Sequence, residues 1–547
     1  MSFAGLPSGQ VPVSAWAAGY AWLLTLDVGG TRYRLADRAL SVSDTDGTLH
    51  YAGRLTSIDF ERDAPTMGMD SDVSVDVGFV SPVSLAGLFL AGAPLHLARA
   101  ELAVLPPGQT FSRRVVLARG RVAWGDLVLA DVATRLTIEQ ALGVDRGTML
   151  DPRQAISRST WASSPDGSSA SGKSTQGQLY PLLIGSPGYD YVDGTERAGF
   201  PIFPVLEDLG TPRHVFLVAS GATQGSVAEI FCAEQTLRNA APLTTSTDAL
   251  GQTVTIYDTG LGGTAVGASA AQAEEAFACL GLDGGPIGPY RAAGPLTTAT
   301  DVLRLAAERS TLDWDEGSIV GAGEVLDLYR LDGYLDAQVA PLDFVRAELL
   351  PILPIALVPG PRGIAVVITN RAPRADEAVA HLEQGRNAWA DALALTPETE
   401  ADDIVGAVAI SYDYRPRDGS FSKQQTLTAS ASEAAAAAAA SASLASFLAQ
   451  GPAGQPPGRV DVETAFVGRA EVAGLIAQDI FAARSTPRAS RTYRVGPDLA
   501  GIAPGQAVLL TDADLGLIRQ PVRVLRWAPL PGGVGLTLEL RPRVRGG

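Results

Sequence analysis

The sequence predicts a multidomain, β-rich α+β fold with short helices, and three observations carry that prediction. At 547 residues the chain is longer than one hydrophobic core serves, which points to three or four domains. Its 59 Gly and 36 Pro, with only 6% aromatics, favour many short strands joined by tight turns. Apolar residues alternate over several stretches and take helical spacing in only a few. With 46% hydrophobic and 18% charged residues, the chain buries enough apolar surface to offset its entropy, which excludes wholesale disorder.

In residues 20–35, Trp22, Leu24, Leu26 and Val28 alternate before Gly29-Gly30, and Tyr33 and Leu35 resume the pattern, the signature of a β-hairpin. Val73, Val75, Val77 and Phe79 alternate in the same way, and 115–129 is rich in Val and Leu. Residues 1–150 therefore predict an antiparallel barrel or sandwich. Residues 151–175 are serine-rich, have little to bury, and read as a linker or surface loop. Residues 176–295 read as an α+β domain, with strands such as 214–219 and an Ala-rich helix containing Glu274, Glu275, Phe277 and Leu280.

A second α+β domain follows at 296–415. Thr300 is available as N-cap of a helix carrying Val302, Leu303 and Ala306 on one face. A helix near 341–350 then gives way at Pro351 and Pro354 to an extended run and the strand from Ile364 to Ile368. Residues 416–547 carry two helices and a terminal β unit. The first helix is 429–450, with Ser430 and Glu433 as a capping box and Gly451-Pro452 as its stop. The second is 463–484, with Val472, Leu475, Ile476 and Ile480 on one stripe.

The charge balance, 42 basic against 59 acidic residues or −17, provides no broad basic surface for stable nucleic-acid binding. An acidic wall would instead let DNA slide past. Lys173 and Lys423 are the only lysines. Cys232 and Cys279 fit neither a disulfide framework nor a metal-ligand spacing, and are expected to be buried thiols in a protein made in a reducing cytosol. The first basic residue is Arg32, and no apolar run reaches the ~18 residues of a membrane span, so neither secretion nor stable membrane binding is expected.

The sharpest motif is Gly167 to Ser174, which satisfies the GxxxxGK[ST] phosphate-loop pattern. Its chemistry needs a strand leading in and a helix leading out, so that helix-end amides face the phosphates. A polar loop precedes it and QGQLYPLLIG follows, so the match reads as coincidence in a Ser/Gly-rich loop. His50, His96, His214 and His381 have no metal-ligand spacing and read as structural. Asp313, Asp315 and Glu316 around Trp314 admit two readings: an acid and nucleophile for glycoside cleavage, or a polar loop between a helix and a strand. Asp512 and Asp514 could hold a cation but lack the calcium-loop run, which favours a turn. No catalytic, cofactor-binding or metal residue is assigned, no cofactor is expected, and the chain does not read as an enzyme.

The segment 490–542 resembles the closing part of baseplate hub and tail-tip proteins of long-tailed bacteriophages, on Pro504, Gly505, Gln506, Val508, Thr511, Leu515, Gly516, Arg523 and Val524. Residues 20–60, with Tyr51, Gly53 and Leu55, are similar to the start of such hub proteins, and Gln178 to Gly185 is similar to the passage into their middle portion. The resemblance implies tail-tube-like β-barrel or sandwich domains in a homotrimer, two per subunit, forming a ring of six that adapts a sixfold tail tube to a threefold tip. It further implies a structural virion protein at the tail tip or baseplate, assembled in the host cytoplasm, with DNA passing its channel only during ejection. Implied partners are a distal tail protein ring, the tape-measure protein and central tip or tail-fibre proteins. A phage-associated cell-wall hydrolase and a receptor-binding tail component are the alternatives.

Overall fold

The computed structural model describes, with short breaks, residues 11–12, 21–63, 73–80, 91–140, 145–162, 174–185, 200–258, 276–280, 296–390, 395–428, 458–484 and 488–541. The expected helix at 429–450 and most of the serine-rich run lie outside the described residues. The chain forms two compact units, neither continuous in sequence. One comprises Met1–Gly143, Ile355–Ile404 and Thr486–Gly547; the other comprises Val144–Pro354 and Val405–Ser485. The segment 296–415, read from the sequence as one stretch, thus contributes to both.

The first unit opens with the expected hairpin. Ala21–Val28 and Thr31–Ala36 pair antiparallel across Gly29 and Gly30, whose φ of 57° and 85° suit the two-residue turn that matches strand twist. Trp22, Leu24, Leu26 and Val28 are all buried. The surrounding sheet runs in the order Leu55–Phe60, Val73–Phe79, Thr134–Gln140, Val115–Val122, Arg99–Leu105, Ala21–Val28, Thr31–Ala36, Gly47–Gly53. Among the described residues this order does not close into a hydrogen-bonded barrel. One continuous stretch of chain, residues 47–60, nevertheless lies along both ends of that order. Ala52 pairs with Leu35 at one end and Leu55 with Phe79 at the other. Between them Arg54 donates its amide to Ala36 and accepts from Val80.

A second sheet in this unit follows the order His381–Glu383, Ala507–Asp512, Leu517–Leu530, Gly533–Leu540, Ala489–Val495, Ala388–Ala390. Its first and last strands are joined by a tight turn in which the Gly385 amide donates to the Ala388 carbonyl. One continuous apolar cluster runs through both sheets, from Leu24, Ile58 and Val77 to Tyr493, Val524 and Leu538. Strand alternation explains it, since every second side chain of each sheet turns to the same side.

The second unit contains a seven-stranded antiparallel sheet, ordered Gln235–Arg238, Val227–Cys232, Ala276–Leu280, Phe200–Asp208, Arg213–Ser220, Thr253–Asp258, Thr244–Thr247. The segment around Phe277 is therefore a strand and not the helix expected from its alanines. Ladder pairing to Phe200–Asp208 and Val227–Cys232 outweighs local propensity there. The two edge strands of this sheet, Gln235–Arg238 and Thr244–Thr247, are only six residue steps apart in sequence, a reach of at most about 20–22 Å. Seven flat strands would set their outer members about 29 Å apart, so the sheet must curl.

The rest of this unit is helical or mixed. Helix Ala299–Arg309 is capped by Thr298, two residues before the expected Thr300, in a reciprocal box with Asp301. Thr300 is instead buried within its first turn, as are Val302, Leu303 and Ala306 on the predicted face. Helix Glu316–Leu326 follows. Pro341–Phe344 leads into a widened π turn at Val345–Leu349, and Pro351 and Pro354 end the helical run as expected. Helix Ala470–Arg484 packs against Val405–Arg415 and Ser420–Thr428. It starts later than the expected residue 463, because Gly458–Glu463 is a strand parallel to Val405–Arg415.

Candidate functional site

Four buried carboxylates among the described residues, Asp512, Asp332, Asp145 and Asp413, are held by local hydrogen bonds or ion pairs. Asp512 is fully buried and its two oxygens are consumed locally. Arg491 donates to Oδ2 at 2.8 Å, the Tyr493 hydroxyl donates to the same oxygen, and the Asp514 and Leu515 amides donate to Oδ1 at 2.9 and 3.3 Å. The Asp512-Asp514 pair is thus a turn closed by its own backbone, with Asp512 tied to the neighbouring strand. Burial first, then the hydrogen bond to Asp512, push the Tyr493 hydroxyl well above its ordinary range.

In the second unit Asp332 receives Arg469 Nε at 2.8 Å and Nη2 at 3.3 Å, with both side chains largely enclosed. The Asp332 amide donates to Phe466 O, which pins the entry to helix Ala470–Arg484. Asp145 gathers the amides of Gly147, Thr311 and Leu342 and the Thr311 hydroxyl, at 2.9 to 3.2 Å. Burial alone would raise its carboxyl, but the Thr311 and Gly147 amides and their neighbours hold it below the ordinary value. Asp413 adopts φ 59°, accepts from Ser422, and lies 3.8 Å from Lys423. Each centre ties together segments separated in sequence, which is what a buried charge must do to recover its lost hydration.

The residues singled out in the sequence are not brought together. Residues 167–173 of the phosphate-loop pattern lie outside the described residues. After them Ser174 accepts from the Gln176 amide, the Thr175 hydroxyl donates to Pro204 O, and the next regular element is the strand Leu182–Ile184, with no helix starting there. Asp313 and Glu316 are exposed and Asp315 half-buried, at a corner between helices Ala299–Arg309 and Glu316–Leu326 rather than between a helix and a strand. His50 bonds Ser41 and His381 bonds Thr511, each at 2.8 Å. His96 lies outside the described residues, and His214 sits on the strand Arg213–Ser220. Cys232 and Cys279 lie on neighbouring strands but pair with Ala276 and Glu229, not with each other. Among the described residues no group of three or more His, Cys, Asp or Glu could hold a metal ion, and no described helix is long and apolar enough to cross a membrane.

Sequence reasoning missed Asp145, Asp332 and Asp413 as organising residues. The signals for Asp145 and Asp332 are glycines at close quarters: Gly147, where a Cβ would meet Arg309 O, Gly333, where it would meet the Phe466 ring, and Gly185 and Gly468, where it would meet Asp332 itself. The features left open to a partner are strand edges and sheet faces. Ser420–Thr428, nine residues without proline, pairs on one side with Val405–Arg415 and has no second strand partner among the described residues. Leu40–Asp44 is likewise an edge.

No family model and no curated protein matches the chain. Among solved structures it is similar to the 43 kDa tail protein of prophage MuSo2 from Shewanella oneidensis, at 9% identity over 96% of this chain and 100% of that one, with a TM-score of 0.35. It is similar to a tail protein from Neisseria meningitidis MC58, at 11% identity over 96% and 97%, with a TM-score of 0.33. It also resembles a chain in the virion of a native gene transfer agent particle, at 10% identity over 72% and 89%, with a TM-score of 0.37. TM-scores this low describe loose likenesses.

Proposed function

We propose that this protein is a structural subunit of a phage tail, the hub of the tail tip or baseplate, working as a homotrimer. The observation that carries the reading is that one chain bears two curled, largely antiparallel sheets, one per unit. The first is the sheet of residues 21–140, with both ends touched by residues 47–60; the second is the seven-stranded sheet of residues 200–280. Three copies would present six such sheets, the number a sixfold tube requires of a threefold tip. The second tube-like element is thereby proposed at 200–280 and not within 296–415, whose described residues up to 354 are mostly helical.

The ordered resemblance of residues 20–60, 178–185 and 490–542 to hub proteins supports the same role. Strand edges such as Ser420–Thr428 and Leu40–Asp44 offer unpaired backbone groups for contacts between subunits. Neighbours would be a distal tail protein ring, the tape-measure protein and central tip or fibre proteins, with DNA in contact only during passage. The role calls for surfaces and a channel, not turnover. Light scattering and negative-stain imaging of the purified chain test it: a threefold particle with a central hole is expected, and a compact monomer overturns the reading.

A further inference from the structure

We infer that the outer face of the N-terminal sheet docks an acidic surface on a second copy of the same chain, the exposed side of helix Glu316–Leu326 and the residues flanking it. Strand alternation sets the face. The apolar side chains of Ala21–Val28, Thr31–Ala36 and Arg99–Leu105 that enter the main core, such as Leu24, Leu35 and Leu102, leave the intervening positions on the opposite face, where Ala21, Leu23, Ala36, Ala103 and Leu105 are buried in a second cluster and the remaining positions carry charge. There, and in Val115–Val122 with the residue before it, stand Arg32, Arg34, Arg99, Arg114, Arg119 and Arg121, against the carboxylates of Asp27 and Glu101. Six arginines against two carboxylates leave a net +4 on four adjacent strands of a chain whose total is −17.

Glu101 binds both Arg114 and Arg119, and Asp27 lies 3.5 Å from Arg32. Arg34, Arg99 and Arg121 form no ion pair among the described residues. Arg99 and Arg121 are directly opposite each other in the ladder and both exposed. Like charges in that position weaken a sheet, while on their other sides Arg99 is opposite Asp27 and Arg121 is opposite Glu139.

The occupant is chosen by charge and exposure. Residues 310–329 contain Asp313, Asp315, Glu316, Glu324 and Asp327 and not one Lys or Arg. All but Asp315 are exposed, and Val320 and Leu328 among them are 52% and 61% exposed, so the surface offers apolar contact beside its charge. A basic patch and an acidic patch at different places on one chain make a head-to-tail contact, which closes into a ring when the rotation permits. A nucleic-acid strand suits the face less well, because Asp27 and Glu101 stand among its arginines.

This inference rests on the ring reading, and charge reversal separates the two. The full chain is compared with R99E/R121E, with E316R/E324R, and with the chain carrying all four changes, by light scattering at about 0.15 M salt, with circular dichroism melts to verify folding. The expected result is association weakened about tenfold or more in each double variant and restored when both are combined. Wild type and both double variants equally trimeric would overturn the docking surface and leave the ring reading standing; a monomeric wild type would overturn both. Loss of association in R99E/R121E without rescue, together with arginine-dependent binding of a DNA oligonucleotide, would replace the second copy with a polyanion.

Discussion

The two curled sheets meet the same geometric demand by different means. In the N-terminal sheet a single stretch, residues 47–60, is hydrogen bonded to both ends of the strand order, so its curvature is written into a ladder. In the seven-stranded sheet no ladder pairing joins the two edge strands among the described residues, and they are linked in sequence through 239–243. The first device is specific and costly to disturb, because each residue has a register. The second is a tether, whose closure entropy changes slowly with length.

Insertions break this comparison most directly. Adding six Gly/Ser residues after Arg54 removes the paired bonds to Ala36 and Val80 and shifts the register of Leu55–Phe60; a loss of about 4 kcal/mol or more is expected in denaturant unfolding of the first unit. Next comes Ile58→Ala, a fully buried side chain in the same stretch, at about 3 kcal/mol. Gly53→Ala follows at about 2 kcal/mol, since its Cβ would fall 2.5 Å from the Ala39 amide nitrogen, and hydrogen exchange would show protection lost first around Leu35 and Ala36.

In the second unit Asp479→Asn has the opposite sign. Burial raises the Asp479 carboxyl to about 6, above the ordinary aspartate range. A raised acid is more readily protonated in the folded state, so its ionisation withdraws stability as pH climbs from about 4 to about 6. The variant should therefore be more stable by about 1–2 kcal/mol at pH 7, and equal to wild type below pH 4, in melts across that range. Asp145, held low, acts in reverse: its contribution is present above about pH 4 and is lost as pH falls further. The smallest effect is expected from lengthening 239–243 by six Gly/Ser residues, under about 1 kcal/mol. A large loss there would mean that the second sheet, too, depends on a fixed closure.

The N-terminal sheet was legible because its residues obey short-range rules. Trp22 to Val28 alternate, Gly29-Gly30 supplies the turn, and Val75, Val77 and Phe79 mark one face. The seven-stranded sheet was not: Pro201 and Pro204 interrupt Phe200–Asp208, and the alanines before Phe277 suggest a helix that ladder pairing overrides. Two-unit organisation left no local trace, because Leu382 and Tyr493 must be folded before their place in the core of residues 22–138 can be known. Of the candidate site, the turn at Asp512 was readable from its Asp-x-Asp spacing. The centres at Asp145 and Asp332 were not, since their partners Thr311 and Arg469 lie 166 and 137 positions away.

That long-range core has a consequence for synthesis. When Ile138 leaves the ribosome, Leu538 is about 400 residues from being made, and at 5–20 residues per second the wait is roughly 20–80 s. During that time the first sheet carries an apolar flank that its own strands do not cover. Nascent chains would therefore be holdase clients, and yield in a host would respond to translation speed over 144–485 more than to any single substitution there.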